Sequence, residues 1–141
     1  MCLMVYIASD HPLPLIPWDE AAPAFHIAEL READQLVRQQ FTKLFVYYAG
    51  SHEGCGCGFD YGQWPVMDDD DRTDEQAARE TIHRLARYLA NVVQLGVIEI
   101  FACWDGDQTA EPIERSVVTP AYFGGEAFAF NEKQFLTIER E

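Results

Sequence analysis

The chain has 141 residues, of which 48% are hydrophobic and 13% aromatic, so it can bury a substantial core and is not expected to be disordered. Its 24 acidic residues outnumber its 10 basic residues, which gives a formal net charge of −14 at pH 7. Phosphate backbones and anionic lipid surfaces repel such a charge, so we expect no nucleic acid and no membrane among its partners. The length predicts one domain covering residues 1–141.

The first apolar run, residues 2–8, is apolar on both of its alternating faces, which predicts a strand in the interior of a sheet. This run follows no basic segment and is too short for a signal peptide or a membrane span, so the sequence predicts a cytoplasmic protein. In that compartment the four cysteines are expected to be reduced thiols or metal ligands rather than a disulfide framework.

Further strands are predicted where β-branched and aromatic residues are bounded by turn residues, at 25–30, 43–49, 97–104, 114–119, 127–130 and 134–138. A long helix is predicted at 73–95, with Thr73 as N-cap, because Thr73 and Gln76 fit a capping box. Its buried stripe is expected to contain Ala78, Ile82, Leu85, Leu89 and Val92.

A short helix is predicted at 31–40, before the third strand. The order of the elements indicates an α+β fold, a single two-layer domain. We expect a mixed, mostly antiparallel sheet of about six or seven strands, covered by the long helix 73–95 and the short helix 31–40. The four aspartates at 68–71 lack the ligand spacing of a calcium-binding EF-hand loop, so we expect them to precede the N-terminus of the long helix, where negative charge is favourable.

The strongest chemical signal is the loop after the third strand, Gly50-Ser-His-Glu-Gly-Cys-Gly-Cys-Gly58. It contains two thiols and one imidazole, and these groups bind zinc, usually with four ligands per ion. We therefore predict a metal site, with zinc as the expected ion and His52, Cys55 and Cys57 as ligands. Cys103 is the predicted fourth ligand, because it lies near the end of a strand that faces neighbouring loops. The alternatives for that position are Cys2, His11 and Asp105.

Two other hypotheses remain open for this loop. Cys55 and Cys57 could form a thiol–disulfide redox pair, although the nearby acidic Glu53 and Asp60 disfavour thiolate formation. Alternatively, the chain is a non-enzymatic protein-interaction or homo-oligomer-forming domain in which the loop is purely structural. In that case the flanking aromatic residues would line a pocket or a contact with a second copy; they are Tyr47, Tyr48, Phe59, Tyr61 and Trp64.

The sequence contains no G-x-S-x-G elbow, H-E-x-x-H helix, phosphate-binding P-loop or G-x-G-x-x-G turn. It therefore assigns no catalytic residue and leaves open whether the protein is an enzyme.

Overall fold

The computed structural model describes residues 2–141, which form eight strands and one long helix. The strands are β1 (Leu3–Ser9), β2 (His26–Glu29), β3 (Phe45–Gly50), β4 (Asp60–Tyr61), β5 (Ile98–Trp104), β6 (Glu114–Val118), β7 (Phe128–Ala129) and β8 (Gln134–Ile138). The helix α1 is Asp69–Val92.

Six strands form the main sheet, in the order β2-β3-β1-β5-β8-β6. Neighbouring strands in this sheet pair antiparallel, except for β6 and β8, which pair parallel. The remaining two strands, β4 and β7, form a small antiparallel sheet. The α+β fold with a mixed sheet is thus confirmed, and the strand that is apolar on both faces, β1, lies inside the sheet as predicted.

Helix α1 buries the predicted apolar stripe, since its five members are at most 4% exposed: Ala78, Ile82, Leu85, Leu89 and Val92. The helix starts four residues before the predicted N-cap, because Asp68 Oδ1 accepts a hydrogen bond from the Asp71 amide at 2.8 Å. Thr73 is therefore inside the helix, and its hydroxyl donates to the Asp69 carbonyl at 3.0 Å.

The Thr73 cap was wrong because aspartate caps a helix as well as threonine does, and three more acidic residues then fill the favourable first turn. Among residues 2–141, no helix combines the length and the apolar composition that crossing a membrane requires.

Both faces of the main sheet carry an apolar cluster. Leu3, Val5 and Ile7 of β1 pack in the cluster that α1 covers. The alternate residues of β1, beginning at Met4, pack in a second cluster that includes Val37. Val37 belongs to Glu32–Gln40, which is a 3-10 helix where the sequence predicted a short helix. β1 is therefore apolar on both faces because both sides of the sheet are covered.

Candidate metal centre

Strand pairing brings three cysteines together at one end of the β1–β3 pair. β3 pairs antiparallel with β1, so the end of β3 lies beside the start of β1, with Ala49 opposite Val5. The loop that follows β3 carries Cys55 and Cys57, and Cys2 directly precedes β1. The three sulfur atoms lie within 4.8 Å of one another, and all three residues are free thiols. This group could hold a metal ion.

The loop is attached to the sheet by hydrogen bonds next to the sulfurs. The Leu3 amide donates to Cys57 Sγ at 3.2 Å. The Tyr48 hydroxyl donates to the Gly54 carbonyl at 2.7 Å. Burial raises the pKa of Tyr48 above its ordinary value, so this donor keeps its proton. Outer contacts of this kind orient a ligating side chain before an ion binds.

Ser51 organises the inside of the loop. Its side chain is fully buried, and its hydroxyl donates to the Cys55 carbonyl. The same oxygen accepts hydrogen bonds from the amides of Glu53 and Gly58, each at 3.1 Å. The Ser51 amide also donates to the Cys55 carbonyl, at 3.0 Å. One serine thus fixes the backbone on both sides of the two loop cysteines.

Two of the loop glycines are required because the backbone approaches its neighbours closely. A Cβ on Gly56 would lie 2.8 Å from the Leu3 carbonyl oxygen and 2.8 Å from a Val5 methyl group. A Cβ on Gly58 would overlap the Ser51 hydroxyl, at 2.3 Å. A side chain at Gly56 would therefore push the loop away from β1, and one at Gly58 would displace the Ser51 side chain that organises the loop.

The three thiols differ in exposure. Cys2 is exposed, whereas Cys55 and Cys57 are half-buried, so an ion from solvent can reach the group. Burial raises the pKa of Cys55 to about 12; a backbone hydrogen bond with Cys57 opposes this increase, and side-chain hydrogen bonds with Cys57 and Cys2 add to it. Cys55 is consequently a thiol at neutral pH, and a metal ion that binds there must displace its proton.

His52 is close to the loop cysteines in sequence but does not belong to the three-sulfur group. Its Nδ1 lies 2.8 Å from Thr81 Oγ1, which joins the loop to α1. Thr81 is 2% exposed, so this contact satisfies a buried hydroxyl. In the structure, this hydrogen bond between His52 and Thr81 attaches the loop to the helix.

Cys103, the predicted fourth ligand, also lies outside the group. It is fully buried in the second apolar cluster. Burial raises the pKa of Cys103 to about 12, with smaller contributions from Asp107 and Asp105. Asp105 Oδ1 accepts a hydrogen bond from Gln108 Nε2 at 2.8 Å. In the part of the chain that the structure describes, the donors that meet within 4.8 Å are the sulfurs of Cys2, Cys55 and Cys57.

A cleft of about 190 Å³ lies between the loop and the first turns of α1, and Cys57 and His52 are in its wall. Its aromatic residues are Tyr61 and Trp64, and its acidic residues are Glu53, Asp60, Asp71, Asp74 and Glu75. Burial raises the pKa of Asp60. We call this space the acidic cleft.

The aromatic residues around the loop divide into core and cleft. Tyr47 and Phe59 are buried in the core cluster under α1, which is ordinary packing. Tyr61 is buried too but borders the acidic cleft, while Trp64 is 79% exposed at the rim of that cleft. Of the five aromatic residues that the sequence pointed to, Tyr61 and Trp64 line this cleft.

Sequence reasoning ranked Cys2 only as an alternative and gave no role to Ser51. The pairing of β1 with β3 was the missing information, because it places residue 2 beside a loop more than 50 residues away.

Comparison of the chain with protein-family models, curated proteins and solved structures gives no match.

Proposed function

We propose that this protein binds one thiophilic metal ion, with zinc as the first choice, through the thiolates of Cys2, Cys55 and Cys57. The observation that carries the proposal is the mutual distance of the three sulfurs, at most 4.8 Å, without a disulfide. With zinc–sulfur bonds of about 2.3 Å, the sulfurs of a tetrahedral site lie about 3.8 Å apart. The three thiols therefore need only small rotations to close on an ion.

The charge of the surroundings supports a cation. The chain carries a net charge of −14, so the electrostatic field of the whole molecule attracts positive ions. Three thiolates would add more negative charge at a half-buried position, and a divalent cation compensates most of it. All-sulfur donors select soft ions such as zinc and Cu(I) rather than calcium or magnesium.

The redox hypothesis has less support in the same geometry. A thiol–disulfide exchange site needs a thiol with a depressed pKa, because the thiolate is the nucleophile. The pKa of Cys55 is raised instead, which lowers its thiolate fraction at neutral pH. A metal ion overcomes this barrier by displacing the proton, so the same environment is compatible with metal binding.

The test is cobalt(II) and zinc titration of the full-length protein under anaerobic conditions. Cobalt serves as the optical probe, because cobalt–thiolate bonds absorb in the near ultraviolet. We expect one ion per chain, and we expect zinc to displace cobalt. Replacing any one of Cys2, Cys55 or Cys57 with serine should weaken binding by at least about a hundredfold, since each removes one of three ligands.

Cys103→Ala is the matched control, because it removes a thiol that lies outside the group and should leave the affinity and the spectrum unchanged. Circular dichroism before titration verifies that each variant is folded. The proposal is wrong if the wild-type protein binds neither ion, or if the cysteine variants bind as tightly as the wild type. A loss in Cys103→Ala equal to that in Cys55→Ser would instead indicate a different ligand set.

A further inference from the structure

The three-sulfur group leaves one position of a tetrahedral ion without a protein ligand. Zinc sites that are purely structural usually have four protein ligands, whereas sites with three keep the fourth position for water or an added molecule. Within residues 2–141, neither His52 nor Cys103 belongs to the group. His52 Nδ1 is occupied by Thr81, and Cys103 is enclosed in the second apolar cluster.

The acidic cleft borders the three-sulfur group, because Cys57 belongs both to that group and to the wall of the cleft. Its volume of about 190 Å³ is below the roughly 300 Å³ at which ordinary ligand pockets begin, so it fits only a small molecule. Cys2 is exposed, which keeps the group accessible from solvent.

The wall of the acidic cleft selects the charge of that molecule. Five carboxylates line it, and among the described lining residues there is no lysine or arginine. Glu75 is already paired with Arg79, at 3.1 Å. Asp60, Asp74 and Glu53 are in none of the ion pairs of the described chain. The exposed Trp64 adds an aromatic face, which attracts organic cations.

Building on the proposed metal site, we infer that the bound ion takes its fourth ligand from a small cationic thiol whose positive group lies in the acidic cleft. The thiol loses its proton to solvent and displaces the water from the metal, so that its sulfur becomes the fourth ligand. The positive end then compensates the carboxylates, and Trp64 contacts it from the rim. The metal supplies the affinity for sulfur, and the cleft supplies the preference for positive charge.

The experiment compares three thiols that share a two-carbon chain and differ in charge. They are thiocholine, which is a quaternary ammonium cation; 2-mercaptoethanol, which is neutral; and 2-mercaptoethanesulfonate, which is an anion. The quaternary nitrogen of thiocholine has no lone pair, so this molecule binds a metal only through sulfur. Each is titrated into the cobalt-loaded full-length protein, and the cobalt absorption is followed. The cobalt content after desalting shows whether the ion stays bound.

We expect all three thiols to change the visible cobalt bands. Thiocholine should bind at least about fivefold more tightly than the anion, which corresponds to about 1 kcal/mol of charge interaction. Asp60→Asn should reduce the preference for thiocholine about two- to fivefold and leave 2-mercaptoethanol binding unchanged. Asp10→Asn, remote from the cleft in an exposed pair with Lys43, is the matched control and should have no effect.

Cobalt that binds with a spectrum insensitive to every thiol would overturn this inference while leaving the proposed metal site intact. Equal affinity for the cation and the anion, or release of the cobalt by thiocholine, would overturn it as well. A failure of cobalt to bind at all would refute the metal site itself, and this inference with it.

Discussion

Replacing Ser51 with alanine tests whether one buried hydroxyl holds the loop in shape. The substitution removes the acceptor for the amides of Glu53 and Gly58, whereas the Cys55 carbonyl keeps its bond from the backbone amide of residue 51. The Gly58 hydrogen bond is buried and the Glu53 hydrogen bond is partly buried. An unsatisfied buried donor costs about 1–3 kcal/mol, so we expect a loss of about 2–3 kcal/mol in the free energy of unfolding.

The assay is urea denaturation at 25 °C in the presence of a chelator, so that metal binding does not contribute. For a chain of this size the slope is about 2 kcal/mol per molar urea, and the midpoint should fall by about 1 M or slightly more. Ser116→Ala, at a half-buried position on the edge strand β6, is the control and should change stability by less than about 0.5 kcal/mol. In the metal titration, Ser51→Ala should also bind zinc more weakly, because the loop cysteines lose their fixed positions.

A midpoint that moves by less than about 0.3 M would refute this reasoning. It would mean that the two amides find other partners when the hydroxyl is removed. Unchanged zinc affinity together with the expected loss of stability would show that the ion itself is able to order the loop, and that the serine serves folding only.

Three further predictions follow from the same geometry. Gly56→Ala forces the loop away from the Leu3 carbonyl, so in urea denaturation it should lower the free energy of unfolding by about 1–3 kcal/mol, and it should also weaken zinc binding. The control is Gly124→Ala, whose Cβ would meet nothing within 4 Å; it should change neither stability nor zinc affinity. Zinc affinity should rise at least about tenfold per pH unit between pH 6 and 8 in competition titrations, because binding displaces the Cys55 proton; a flat profile would contradict this. Without metal, stability should fall as pH rises from about 9 to 12, because Cys103 stays protonated in the folded chain and ionises in the unfolded chain. The free energy of unfolding should fall about 1.4 kcal/mol per pH unit more steeply in the wild type than in Cys103→Ala. Equal slopes in the two proteins would contradict this prediction.

Much of the fold was predictable because its signals are local. The stripe of α1 repeats every three or four residues, and all five of its predicted members are buried. The two apolar faces of β1 were equally visible, since successive side chains in a strand point to opposite sides of the sheet. The start of α1 was misjudged because Asp68 and Thr73 are both good caps, and a choice between them depends on contacts that a local pattern does not contain.

The sequence by itself determined that two thiols and an imidazole lie together in one short Gly/Cys segment. Only the tertiary structure decided which groups meet there. The antiparallel pairing of β1 and β3 brings Cys2 to Cys55 and Cys57, while the register of β5 directs Cys103 into the second apolar cluster. His52, three residues from Cys55, lies against Thr81 of α1. A ligand set is a matter of distances between side chains, and those distances are set by strand pairing and helix packing, which join residues far apart in the chain.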